Sequence, residues 1–185
     1  MRRSIQLAAA AFAALVAGTA NAADFALSSS DISNGRTIPT PFVYDASGCQ
    51  GRNESPALTW KGAPAGTKSF AVTVFDPDAP TGHGWWHWAV ANLPASATHL
   101  SRGSGAAGGD GLPGSAVQLR NDFGAAAYGG PCPPPGDDAH RYRFRVYAVD
   151  VESLDVDAGD GAASLSSALQ GHTLGVAELV ATYAR

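Results

Sequence analysis

Alternation of apolar and polar positions with period two governs the longer ordered stretches of this chain, and that period predicts strands. Lys68 to Asp76 reads KSFAVTVFD and puts Phe70, Val72, Val74 and Asp76 on one face. From Trp85 to Leu93, Trp86, Trp88 and Val90 fall on one face, and Trp85, His87, Ala89 and Ala91 on the other. Arg141 to Val149 alternates most cleanly, with Tyr142, Phe144, Val146 and Ala148 opposed to Arg141, Arg143 and Arg145. His140 shares the apolar face of that strand. Ala162 to Gln170 predicts one short helix, with Leu165 and Leu169 on one side and Gly171 as its stop. A last strand is expected over roughly Gly175 to Tyr183. The 22 glycines and 12 prolines among 185 residues require many turns, so β structure should dominate. Ser101 to Ser115 is glycine-rich and is expected to form a long mobile loop.

The N-terminus breaks this pattern. Arg2 and Arg3 precede a short apolar run from Ile5 to Val16, and Ala20-Asn21-Ala22 offers a small-x-small cleavage site. Residues 1–22 are therefore expected to be a signal peptide cut before Ala23, with residues 23–185 as a single domain, periplasmic or secreted. The run has no polar face for an amphipathic helix. It falls short of the roughly 20 residues that span a bilayer, so an integral membrane protein is not expected. Without those residues the chain carries 10 basic and 16 acidic side chains, a net −6 with neutral histidines. That balance speaks against a nucleic-acid partner, whose footprint is basic. Two cysteines, Cys49 and Cys132, make an even count that in an oxidising compartment implies one disulfide.

The polar exceptions on the strands are more informative. Asp76 ends one strand, His87 lies near the start of the next, and His140 directly precedes a third. A hairpin through Pro77–Gly84 would bring Asp76 and His87 to one end of a sheet. Ala89 and Ala91 would leave room beside His87, as a ligand pocket needs. Asp76-Pro77-Asp78-Ala79-Pro80 also reads as a turn, since Asp accepts backbone hydrogen bonds and Pro presets φ. His83 and His87 would share a metal on a helix but not on a strand, so His83 is expected in an exposed loop. Asp155–Gly161 lacks the glycine and glutamate spacing of a calcium loop. No G-x-S-x-G nucleophile elbow occurs and no cofactor is called for; a metal held by Asp76, His87 and His140 is geometrically open but is the minority reading. Gly129-Gly130-Pro131-Cys132-Pro133-Pro134-Pro135 is a stiff loop whose glycine amides could approach an anion, and it leads directly into His140.

Seven runs in order resemble the phosphatidylethanolamine-binding family, in its bacterial Raf-kinase-inhibitor-like branch. They are Ser55-Pro56-Ala57-Leu58-Thr59-Trp60, Asp76–Pro80, Gly84-Trp85-Trp86-His87-Trp88, Asn92-Leu93-Pro94, Asn121-Asp122-Phe123-Gly124, Gly129–Pro135 and His140-Arg141-Tyr142. The resemblance covers about Phe25 to Arg185. It implies a mainly β, antiparallel-rich β-sandwich with a few short helices and a small anion pocket at one edge. The positions matching that pocket are Asp76, His87, Gly130, Pro131, His140 and Tyr142. It also implies a homodimer. Trp86 departs from the eukaryotic pattern, where a second histidine often precedes the pocket histidine.

An aspartate in an anion pocket makes sense if Asp76 serves the histidines. A carboxylate on one imidazole nitrogen favours the charged ring, whose other N–H then meets a phosphate oxygen. With no nucleophile evident, binding of a small anion of phosphate or phospholipid head-group type is expected in place of enzymatic turnover. The alternative is a protein-interaction or inhibitor module that docks a partner's acidic or phosphorylated side chain, and a hydrolase built on the Asp–His pair comes last.

Overall fold

The computed structural model describes residues 24–185, so the expected signal peptide lies outside the described residues. Among these residues eight strands, one α-helix and a 3-10 helix at Thr40–Phe42 form, the strands and α-helix in the order β1 (Ala26–Ser28), β2 (Leu58–Lys61), β3 (Ser69–Asp76), β4 (Trp85–Pro94), β5 (His99–Leu100), β6 (Val117–Gln118), β7 (His140–Val149), α1 (Ala162–Ala168) and β8 (Thr173–Tyr183). They form a three-stranded sheet, β1-β2-β5, and a five-stranded sheet, β6-β4-β3-β7-β8, with antiparallel pairing between named strands. Leu58, Trp60 and Leu100 of the small sheet meet Phe70, Val72, Trp88, Val90 and Phe144 of the large one in a common buried core. The architecture is thus the expected antiparallel β-sandwich. The outer face of the large sheet is covered by α1, whose Leu165 packs with Ala71, Ala89, Ala91 and Leu119.

β7 keeps the parity its sequence predicts. Tyr142, Phe144, Val146 and Ala148 are buried in the core, while Arg143 and Arg145 turn outward to Glu178 on β8. β4 does not keep it, because two bulges interrupt its pairing with β3. Val74 opposes Trp88 and Phe75 opposes Trp86, so His87 is the extra residue between them. An inserted residue inverts the facing of everything beyond it. Trp85, opposite Asp76, therefore shares a side with Trp88, whereas Trp86 packs on Phe75 at 4.5 Å, on the side of Ala89 and Ala91. The expectation that Ala89 and Ala91 make room for His87 is corrected: they make room for the helix. The second bulge centres on Asn92, at φ 60°, whose amide side chain bonds both Leu154 N–H and Leu154 C=O. Asparagine tolerates that left-handed conformation better than most residues.

The glycine-rich stretch 101–115 is anchored to the body of the protein in its first half, at Gly103–Ala106. Gly105 N–H donates to Ser55 Oγ at 2.8 Å, Gly105 C=O accepts from Tyr128 N–H, and Gln118 donates to Ala106 C=O. Glycine serves close approach here: a Cβ on Gly105 would lie 2.7 Å from Tyr128 Cβ and 3.0 Å from the Trp88 ring.

Candidate functional site

The β3–β4 hairpin brings Asp76 and Trp85 to one end of the large sheet, and β7 delivers His140 and Tyr142 beside them. The turn Pro77–Gly84 is built by Asp76 itself, whose Oδ1 accepts Asp78 N–H at 2.8 Å. Gly84 closes it at φ 78°, where a Cβ would collide with Phe75 and with the Asp76 carbonyl. Asp78 then grips Arg141 through Nε and Nη2 at 2.8 and 2.6 Å, and this guanidinium holds its carboxyl down at about 2. The Asp-Pro-Asp run is therefore turn and site wall at once.

A cavity of about 270 Å³ opens there, walled by Asp76, Trp85, His87, Phe123, His140 and Tyr142, with Ser47, Pro80 and the Cys132–Pro134 segment at its margins. This volume suits a phosphate or a small ester. Asp76 and His140 are 2 % and 4 % exposed, and His140 Nδ1 lies 2.7 Å from Asp76 Oδ2. An ionised carboxylate only accepts, so Nδ1 carries the hydrogen. His87 is equally buried but is oriented differently: its Nδ1 lies 2.7 Å from the Gly129 carbonyl. That oxygen also only accepts, so Nδ1–H is the donor and the neutral ring presents a lone pair at Nε2.

Burial dominates the titration of His87 and pushes its pKa below the ordinary value, against the smaller opposing pull of the Gly129 carbonyl and the Asp76 charge. Of the two histidines that Asp76 was expected to serve, it bonds His140 and not His87. Among the described residues three buried side-chain donors lack a partner in full hydrogen-bond geometry: Trp60 Nε1 in the core between the sheets, and Trp85 Nε1 and Tyr142 Oη on cavity residues, the last close enough to Asp76 to feel its carboxylate. Burial and then the nearby Asp76 charge raise the Tyr142 phenol well above its usual range, so it stays an O–H donor.

Gly130 and Pro131 do not line the cavity. The Gly130 N–H expected to meet a ligand donates to Asn53 Oδ1 at 2.7 Å, and the Pro131 carbonyl accepts from Tyr44 N–H at 3.1 Å. A Cβ on Gly130 would sit 2.3 Å from the Phe42 carbonyl, so this glycine is needed for backbone packing. It is the next three residues that form the wall, and Cys132 is bonded there to Cys49 across 83 positions. Arg185 steadies the same wall, donating through Nε to the Pro133 carbonyl at 2.6 Å. His83 is exposed in the hairpin loop. Among the described residues no three His, Cys, Asp or Glu side chains gather as a metal ion would require.

Trp85 and Phe123 were not singled out by the sequence reasoning. Phe123 stacks on Tyr44 at 4.2 Å and meets Trp85 and His87 edge-on at 5.3 and 5.5 Å, which fixes the aromatic side of the cavity. Its presence in Asn121-Asp122-Phe123-Gly124, one of the resembling runs, was the available signal. Trp85 carried the same kind of signal, standing in the resembling run Gly84-Trp85-Trp86-His87-Trp88, but the bulge that turns it to the core side leaves no mark in the alternation.

The family model described as phosphatidylethanolamine-binding protein matches residues 28–184. UPF0098 protein YbcL of Escherichia coli (strain K12) is 48% identical over 170 residues, covering 92% of this chain and 93% of the relative. UPF0098 protein YbhB of the same organism is 45% identical over 157 residues, covering 85% and 98%. The crystal structure of E. coli YbcL, described as a new member of the mammalian PEBP family, superposes with a TM-score of 0.86 at 48% identity over 88% of this chain and 99% of that one. The homologue CT736 from Chlamydia trachomatis follows at a TM-score of 0.72 and 36% identity, over 87% and 97%.

Proposed function

The chain belongs to the phosphatidylethanolamine-binding protein family, and from that premise we propose that it is an exported protein binding a small phosphate-type anion in this cavity. One observation carries the proposal: a cavity of about 270 Å³ gathers Asp76, His140, His87, Tyr142 and Trp85 on its wall, and the last two each hold a buried donor, Oη and Nε1, with no acceptor in full hydrogen-bond geometry among the described residues. Buried donors are nearly always satisfied, and leaving one unmade costs about 1–3 kcal/mol. A ligand rich in acceptor oxygens would supply what both lack once the side chains turn toward it. His87 Nε2 adds an acceptor, which suits an oxyanion that retains a proton, as monohydrogen phosphate does near neutral pH.

The proposal is for binding without turnover. Both Asp76 oxygens are engaged, one by His140 and one by Asp78 N–H, and the outer nitrogen of His140 faces Asp137. Hydrolysis of a phosphate ester by the purified protein, lost in His87→Ala, would contradict this.

Tyr142→Phe tests the central observation with two readouts that move in opposite directions. Removing an unsatisfied hydroxyl should leave the empty protein as stable as before or more so, while weakening phosphate binding about tenfold. Thermal melting and calorimetry read the two effects. Equal phosphate affinity in both proteins would remove Tyr142 from the site. Export has its own check: intact-mass analysis of protein recovered from the periplasm or medium should show a chain starting at Ala23, and a retained Met1 would refute it.

A further inference from the structure

The bulge that turns Trp85 and His87 toward the cavity leaves a backbone problem behind it. An antiparallel strand sends the polar groups of successive residues to alternate sides. On the side of β4 away from β3, Ala89 C=O accepts Leu119 N–H and His87 C=O accepts Gly129 N–H. Trp86 breaks the alternation, because its N–H and C=O turn to that same side. The β6 ladder stops short of it, pairing with β4 at Val90 and Ala91. An inserted residue thus leaves backbone groups that something other than a strand must satisfy.

Asp122 satisfies them. Trp86 N–H donates to Asp122 Oδ2 at 2.7 Å, and Asp122 N–H donates to Trp86 C=O at 3.0 Å. The loop that presents Asp122 is braced from within. Asn121 Oδ1 accepts Ala125 N–H, Asn121 Nδ2 donates to Ala127 C=O, and Asn121 C=O accepts Gly124 N–H. Trp85, His87 and Phe123 line the cavity, whereas Trp86 and Asp122, their neighbours in sequence, lie off its wall and bond each other.

We propose that Asp122 is a positioning residue of the anion site: its carboxylate holds the Trp86 amide and thereby sets the bulge that aims Trp85 and His87 into the cavity. Its ligand readout rests on the phosphate reading. A bond from an N–H to a carboxylate is roughly twice as strong as a neutral one, which suits a kink that the ladder does not support. As a charge, however, Asp122 is a liability, since it is near enough to act on His87 and opposes a bound anion. Its removal should strengthen phosphate binding through the field and weaken it through geometry. A net loss of affinity therefore reports geometry.

Asn92 provides the control. It caps the other bulge of β4 through both polar groups of Leu154, and it lies outside the cavity. Asn92→Gly removes that cap while tolerating the φ of 60°. Asp122→Ala, Asp122→Asn and Asn92→Gly are compared with the wild type by calorimetry with inorganic phosphate, thermal melting and NMR of the Trp85 indole N–H. Asp122→Ala and Asn92→Gly should both melt below the wild type. Only Asp122→Ala should bind phosphate about tenfold more weakly and shift the indole resonance. Asp122→Asn keeps an oxygen for the Trp86 N–H, so it should restore the resonance and lie within about threefold of wild-type affinity. In the wild type the Trp86 amide should exchange with solvent far more slowly than a free peptide.

Phosphate affinity unchanged or raised in Asp122→Ala, an equal loss in Asn92→Gly, or a wild-type Trp86 amide exchanging like a free peptide would overturn the proposal and leave the phosphate site standing. Wild-type protein that binds no phosphate would overturn the phosphate reading instead. The indole then decides for Asp122: shifted in Asp122→Ala and restored in Asp122→Asn upholds it, and unshifted refutes it. The exchange measurement uses the wild type, so the proposal can be refuted even if Asp122→Ala fails to fold.

Discussion

Replacing Cys49 and Cys132 by serine should lower folding stability by up to about 4.5 kcal/mol. The two cysteines are 83 positions apart, so the bond closes a long loop. The cost of closing such a loop is removed from the unfolded chain when the disulfide is present and returns when it is absent. The native wall has other supports: Tyr44 N–H to the Pro131 carbonyl, Arg185 Nε to the Pro133 carbonyl, and Gly136 N–H to the Arg185 carbonyl. The cavity should therefore keep its shape in the variant, and the loss should come chiefly through the unfolded state. Urea denaturation of the two proteins measures it directly. A difference below about 1 kcal/mol would show that the cross-link contributes almost nothing to stability.

Asp76→Ala should cost about 3–5 kcal/mol, because it breaks a buried pair from one side. Asp76 is 2 % exposed and satisfies both His140 Nδ1 and Asp78 N–H, so its removal leaves two polar groups without their acceptor. Loss of the second bond also frees the turn that carries Asp78 to Arg141. Asp76→Asn keeps one oxygen acceptor in place and should lose only about 1–3 kcal/mol. Denaturation curves for both variants should fall in that order. Equal stability of Asp76→Ala and wild type would mean the Asp76–His140 bond is not a structural hinge of the site.

How far the sequence could be read depended on where its alternation was interrupted. β7 kept period two, and Tyr142, Phe144, Val146 and Ala148 of its apolar face are in the core while His140, on the same face, lines the cavity. β4 was misread because Trp85-Trp86-His87-Trp88 contains no glycine or asparagine to betray an inserted residue. The histidine was identified for its chemistry and placed beside the wrong neighbours. Asn92 marks the second bulge and was a usable signal, since asparagine at positive φ is a recognised exception. Gly130 failed for a different reason. Glycine predicts close approach by something, but only the fold shows that the Phe42–Tyr44 backbone and Asn53 make that approach. The partners of Asp76 and His87 were equally out of reach, since which carbonyl or carboxylate meets which ring is decided by contacts 42 and 64 positions apart in sequence.

The central claim is that the cavity takes a phosphate-type oxyanion against a neutral His87, and paired calorimetric titrations with phosphate and sulfate across pH 5 to 8.5 test it most directly. Burial places the His87 pKa below the ordinary value near 6.5, so at pH 7 its Nε2 accepts a hydrogen bond and does not donate one. Monohydrogen phosphate brings the needed proton, whereas sulfate brings none and requires the ring to be protonated on binding. The account predicts that phosphate binds more tightly than sulfate at pH 7. Sulfate affinity should climb as pH falls below about 6.5 toward the depressed pKa, because a ligand that needs the charged ring gains wherever protons are easier to take up. His87→Ala should weaken phosphate about tenfold and abolish the sulfate pH dependence. No phosphate binding, or phosphate binding untouched by His87→Ala, would contradict the account.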